Sequence, residues 1–221
     1  MRPKTLRSYK RTMRAYSTGF GFRSPYQILL DGDFCQAGLE QKIYLKEELP
    51  TILSDNTRPL VTECTLQELR DKGSAFTGAV LVAKRFERRR CKHRTPVPSA
   101  QCIKEIIAKD NPHNYCVASQ DPELRKALRE IPGVPLLHIK QNFIVLEPLT
   151  QVTRDEIQKR EYEKTLPSAK EAEKLKTAKL VVGDKPPEEV AAAAKEEPKP
   201  KKKKVKGPNP LSVKKKKKKN P

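Results

Sequence analysis

Between Gln27 and Leu146 the chain repeats one pattern: a short apolar run, a polar or glycine break, then a stretch with apolar residues at helical spacing. Gln27–Gly32 (QILLDG), Pro59–Thr62 (PLVT), Tyr115–Ala118 (YCVA) and Val134–Ile139 (VPLLHI) read as strands, with Phe143–Leu146 as a fifth. Runs this short and this continuously apolar suit strands covered on both faces. Helical spacing fills residues 33–53 (Leu39, Ile43, Leu49, Ile52), Cys64–Lys72, 75–86, a stretch through Ala108, and 122–130. Residues 87–99 read as a Pro-containing loop. Strands alternating with helices predict an α/β fold, a mostly parallel central sheet flanked by helices.

Beyond about Pro148 the apolar density falls away. Residues 151–182 read as a charged, exposed helical extension, and 183–221, rich in Pro, Ala and Lys, as a disordered tail. The expected organisation is a basic arm over 1–23, an α/β domain over 24–150, the extension and the tail. The formal charge of +20 follows these divisions: +7 lies in residues 1–23 and +11 in 195–221, leaving +2 for everything between. Two cationic ends on a nearly neutral body suit a polyanion, because each phosphate neutralised releases counterions. The chain lacks an 18-residue apolar run, which excludes a membrane span of the usual kind, and MRPKTLRSYKRTMRAYS has no apolar centre and does not read as a secretory signal. Five cysteines in such a chain point to a reducing compartment, where Cys serves as core filler, reactive thiol or metal ligand.

In open α/β sheets function gathers at the carboxyl ends of strands. Asp31 follows ILL, Asp121 follows YCVASQ, and Glu68 lies one turn into the helix after the second strand. Three converging carboxylates call for a cation, and oxygen ligands suit Mg²⁺ or Mn²⁺. Taken singly, each has an ordinary role as a turn or helix cap or a solvated side chain. Farther along, RRRCKHRTPVPSAQC places Cys91, His93 and Cys102 close in sequence. These are three of the four ligands a structural zinc needs. The fourth is sought among Cys35, Cys64, His113, Cys116 and His138. Cys116 and His138 read as buried strand residues, and a continuous helix would carry His113 roughly 16 Å from Cys102. Cys64 stands where the second strand meets its helix. His113 stays open as the alternative.

YQILLDGDFCQA, VTECTLQEL, FERRRCKH, VASQDPELR, IPGVPLLHI and GPNPLSVKKKKK occur in that order. Together they resemble the U three protein twenty-three family, nucleolar PIN-domain rRNA-processing factors of the small-subunit processome. The resemblance runs over residues 1–150 and returns at 207–219. It implies a PIN-like fold with up to four acids around divalent metal, and residue by residue it assigns three of them to Asp31, Glu68 and Asp121. Gln101 falls where the remaining acid belongs, so the resemblance implies a partly degenerate nuclease site that is vestigial or weak, with Mg or Mn as its metal if one binds. It also implies a Cys-Cys-His-Cys zinc motif, whose order Cys64–Cys91–His93–Cys102 reproduces. Pre-rRNA, an H/ACA snoRNA and processome proteins are the implied partners, the nucleolus of the nucleus the implied location, and a monomer the expected state.

The cations supply the contacts to RNA. The first arm interleaves Arg and Lys with Tyr9, Tyr16, Phe20 and Phe22. Aromatics can stack on unpaired bases while cations track phosphate. Phe20 and Phe22 are assigned to docking on the domain, Tyr9 and Arg11 to RNA. Arg88, Arg89, Arg90, Lys92 and Arg94 form a second patch, and the Lys-rich tail reads as RNA clamp or nuclear address, with GPNPLSV as a short docking motif. Two other functions stay open, an active metal-dependent endoribonuclease and a scaffold that binds only proteins.

Overall fold

The computed structural model describes residues 3–166 together with Glu171 and Lys174. Strands β1 Tyr26–Leu30, β2 Thr57–Thr62, β3 Glu87–Arg89, β4 Cys116–Ala118, β5 Leu136–Lys140 and β6 Phe143–Leu146 form one sheet in the order β3-β2-β1-β4-β5-β6. Neighbours are parallel except the β5–β6 hairpin. The helices are α1 Pro3–Phe20, α2 Gly32–Glu40, α3 Leu45–Leu53, α4 Glu63–Asp71, α5 Thr77–Lys84, α6 Ser99–Ile107, α7 Pro122–Arg129 and α8 Gln151–Thr165.

Alternate strand residues face opposite ways, and both faces are buried. Ile28, Leu30, Val61, Cys116, Ala118, Leu137 and Ile139 join one apolar cluster with residues of α1–α5. Leu29, Leu60, Val117 and Leu136 join a second with Ile103 and Ile107 of α6 and Leu124 and Leu128 of α7. This explains the continuously apolar strand runs. The chain first winds from β1 outward to β2 and β3, then crosses back to place β4 on the other side of β1. The β1/β4 boundary is therefore the point where the connection reverses, and a crevice at the carboxyl ends belongs there.

The structure departs from the sequence reading in four places. Residues 33–53 form two helices, because the chain reverses between them at Lys42 with φ of 54°. Within the supposed loop 87–99, β3 pairs with β2 as a short edge strand, with Arg58 ion-paired to Glu87 across the pair. Its three residues, ERR, carry no apolar signal. Residues 1–23 are no free arm: α1 buries Tyr9, Met13 and Tyr16 at 8%, 2% and 1% exposure. Lys4, Arg7, Lys10, Arg11 and Arg14 lie exposed. Lastly, the extension is docked on α1 through Ile157 and Arg160. A Cβ on Gly19 would lie 2.6 Å from Ile157 Cγ1 of α8, Arg160 Nη1 donates to Gly19 O at 3.2 Å, and its guanidinium sits 4.5 Å from the Phe20 ring centroid. The remainder of the 151–182 helix, apart from Glu171 and Lys174, and the tail over 183–221 lie outside the described residues.

Glu147, just past β6 and 8% exposed, ties α7 to the hairpin. It accepts from Arg125 Nη1 at 3.0 Å and from Arg129 Nε and Nη2 at 2.8 and 3.0 Å, with His138 Nδ1 3.3 Å from Oε1. Burial alone would raise this carboxyl, but His138, then Arg129 and Arg125, outweigh it and hold the pKa at about 2. A carboxyl held below its unfolded value stabilises the fold at neutral pH, and that contribution is lost as pH falls toward the folded value. Glu147→Gln should cost about 3 kcal/mol in urea unfolding at neutral pH. Its gap to the unmodified chain should close between about pH 5 and pH 2.

Candidate functional site

Asp31 ends the β1 run at the reversal point, and the same residue caps α2 through Gly32 N at 2.8 Å. It is 4% exposed. Its Oδ1 also accepts from Ser99 Oγ at 2.7 Å and its Oδ2 from Ser119 Oγ at 2.6 Å. Burial raises its pKa, against the hydrogen bonds from Ser119 and Ser99, which favour the carboxylate. Each serine then makes a second contact. Ser99 N, the first amide of α6, donates to Glu68 Oε2 at 2.6 Å. Ser119 Oγ accepts from Asp121 N at 3.1 Å. Thus Ser99 joins the carboxylates of Asp31 and Glu68, while Asp121 reaches Ser119 only through its backbone amide.

A divalent ion needs free oxygen lone pairs aimed at one point. Of the roughly four acceptor positions on a carboxylate, those of Asp31 already take Gly32 N, Ser99 Oγ and Ser119 Oγ. The other Glu68 oxygen, Oε1, pairs with Lys72 Nζ at 2.9 Å, and Asp121 Oδ1 caps α7 through Glu123 N at 2.8 Å. Gln101 is exposed and donates its amide to Glu105 Oε1 at 3.0 Å. As arranged, most of these oxygens are committed to protein donors, which leaves few lone pairs for an Mg or Mn ion. Sequence reasoning missed Ser99, Ser119, Asp33 and Lys72. None of these carries a sequence pattern, since each partner is set by the tertiary fold.

The cysteine question is settled by geometry. The ligand atoms of Cys64, Cys91, His93 and Cys102 lie within 4.8 Å of one another. Cys64 Sγ is 3.6 Å from Cys91 Sγ and 3.5 Å from His93 Nδ1. Among the described residues this is the one group of three or more His, Cys, Asp or Glu side chains gathered so that it could hold a metal ion. His113 instead packs its ring against Tyr115, 5.7 Å between centroids. A carboxylate can only accept, so His93 Nε2–H donates to Glu105 Oε2 at 2.5 Å and leaves the Nδ1 lone pair facing the thiols. Burial opposes the Cys91 thiolate, yet hydrogen bonds with His93 and Cys64 bring it down to about 7, whereas burial pushes Cys102 up to about 12.

Buried hydroxyls link the two sites. Ser99 Oγ lies 2.8 Å from Thr65 Oγ1, Thr65 Oγ1 2.9 Å from Thr62 Oγ1, and Cys102 Sγ donates to Thr62 Oγ1 at 3.6 Å. Around the cluster Arg88, Arg90, Lys92 and Arg94 are exposed, while Arg89 is half-buried with its guanidinium 5.8 Å from the Tyr115 ring centroid. Arg11 is exposed on α1. The ring of Tyr9 is buried and not placed to stack on a base, a correction to its assignment.

The Fcf1 family profile matches residues 51–148, and the UTP23 sensor motif matches residues 199–218. The chain is 40% identical over 156 residues to the rRNA-processing protein utp23 of Schizosaccharomyces pombe, covering 69% of this chain and 60% of that protein. It is 35% identical over 130 residues to the rRNA-processing protein fcf1 of the same organism, covering 58% and 66%. The chain therefore spans less than two thirds of either relative. It is also similar to the PIN domain endonuclease Utp24, with TM-score 0.53 and 35% identity over 58% of this chain and 96% of that one. Replacing one serine of the edge leaves a buried acid short of a donor. Ser99→Ala should cost about 1–3 kcal/mol in urea unfolding, and Ser119→Ala a similar amount.

Proposed function

The chain belongs to the Utp23 family of PIN-domain proteins, and from that premise we propose that it is an RNA-binding assembly factor for processing small-subunit (18S) pre-rRNA. On this reading it works in the nucleolus, with an H/ACA snoRNA and small-subunit processome proteins as partners. The observation that carries the reading is the placement of cations. Lys4, Arg7, Lys10, Arg11 and Arg14 project from α1, and Arg88, Arg90, Lys92 and Arg94 surround the metal cluster. The relatives named as rRNA-processing proteins supply the class of RNA. With Tyr9 buried, α1 would grip phosphates rather than bases.

We take the ion of the cysteine cluster to be zinc. Thiolates and imidazole select it over the harder cations. Two thiolates at about 2.3 Å from a tetrahedral ion stand about 3.8 Å apart, close to the 3.6 Å between Cys64 and Cys91. Four protein ligands leave no open position, so such an ion holds structure: Cys91 and His93 of the Arg-rich segment against Cys64 and Cys102. The domain boundaries proposed are then α1 with the α/β domain and α8 as the folded part, and a basic tail bearing the UTP23 sensor motif.

A second reading, metal-dependent endoribonuclease, has in its favour the likeness to the PIN domain endonuclease Utp24. What weighs against it is that Asp31, Glu68 and Asp121 are hydrogen-bonded to serines, a lysine and a helix end. A gel-shift titration with an 18S-precursor fragment separates these readings. The full chain should bind with a steep log–log salt dependence, and deleting residues 199–219 should lower both affinity and slope. The RNA should stay intact in Mg²⁺. Salt-independent or absent binding would favour a protein scaffold, and brisk Mg²⁺-dependent cleavage lost in Asp31→Asn would favour the nuclease.

A further inference from the structure

At the mouth of the acidic edge lies a cleft of about 500 Å³ lined by Glu68, Asp71, Lys72 and Pro96–Pro98. Lys72, the residue that ends α4, reaches into the acids. Its Nζ is 2.7 Å from Asp33 Oδ1 and 2.9 Å from Glu68 Oε1. The same ammonium lies 5.6 Å from the Phe76 ring centroid. Its side chain is 32% exposed, against 30% for Glu68, which lines the cleft with it, and 47% for Asp33 at the solvent side. Asp33 comes from the first turn of α2, two residues after Asp31, and Glu68 from α4. Two carboxylates from different helices thus close on one positive charge.

We propose that the Lys72 ammonium takes the place of a divalent cation at the acidic edge. This rests on the reading of that edge as non-catalytic, and gives it a specific cause. A dication bridging Asp33 and Glu68 would have to stand where Nζ stands, so that entry requires the lysine to leave. A lysine remaining nearby would repel the incoming ion at short range, where like charges interact most strongly. Lysine supplies three N–H donors on a flexible stem and holds its charge without shedding a hydration shell as strongly bound as that of Mg²⁺. It therefore neutralises the edge permanently, whatever the supply of metal. Gln101 removes one acid from the motif; Lys72 occupies another, Glu68, together with its neighbour Asp33. Neither Asp33 nor Lys72 belongs to the acid set carried over from the family, and the pair lies 39 residues apart in sequence.

Mn²⁺ titration of the full, zinc-loaded chain, read from the paramagnetic signal of free Mn²⁺, tests this. In the unmodified chain, Asp33→Asn should not change Mn²⁺ affinity. Lys72→Met should bind Mn²⁺ about tenfold tighter or better, Lys72→Arg should show no gain, and adding Asp33→Asn to Lys72→Met should abolish the gain. Lys72→Met binding no tighter than the unmodified chain would overturn the proposal. So would an unmodified chain whose Mn²⁺ affinity falls in Asp33→Asn. The functional reading fails separately, in the RNA titration, which does not depend on Mn²⁺.

Discussion

A carboxylate buried where the sheet connection reverses has to find hydrogen-bond donors or the fold loses several kcal/mol. Asp31 is that group. Its donors come from the adjoining first residue of α2, from the first turn of α6 and from just past β4. Two segments distant in sequence must therefore arrive beside it before the acid is satisfied. Because Ser99 also engages the Glu68 carboxylate and Ser119 the Asp121 backbone amide, one residue's need for donors organises the edge around it. The Thr65–Thr62–Cys102 relay then extends the same polar system to the cysteine cluster. The edge and the cluster share α6, which presents Ser99 at its start and Cys102 one turn later.

This shared helix separates two roles that acids and cysteines can play in such a fold. Hard oxygen ligands, committed to serines, a helix end and Lys72, have little left to offer a metal. Soft ligands, brought together at the far end of the relay, remain free to take one. The cations then fall on surfaces that are fixed: the outer face of α1, anchored by Tyr9, Met13 and Tyr16, and the segment around Cys91 and His93. An RNA held by such surfaces meets a rigid pattern of charge, which costs less ordering than a free arm would.

Much of this was legible in the sequence. Strands covered on both faces announce themselves as apolar runs, and β1, β2, β4, β5 and β6 all did so. β3 did not, since an edge strand of Glu87, Arg88 and Arg89 has no apolar face to display. The three buried residues of α1 recur at helical spacing, but seven Lys and Arg in the first 23 residues mask them as an arm. Cys64 could be preferred to His113 from its place at a strand–helix junction, though only the folded chain brings the four ligands together. Ser99, Ser119 and Lys72 were hidden for a different reason. A lone serine or lysine carries no pattern, and its partner is fixed by tertiary structure alone.

The dependence of the acidic edge on the proposed zinc at the Cys/His cluster is open to direct measurement by amide hydrogen exchange on zinc-loaded and chelator-stripped protein. If the cluster holds α6 in place, stripping should speed exchange in the first turn of α6 and at Thr65 by about tenfold or more, with a smaller change in β1 and β4. Protection of Ser99–Ile103 that is unchanged after the metal has gone would contradict the link between the cluster and Asp31.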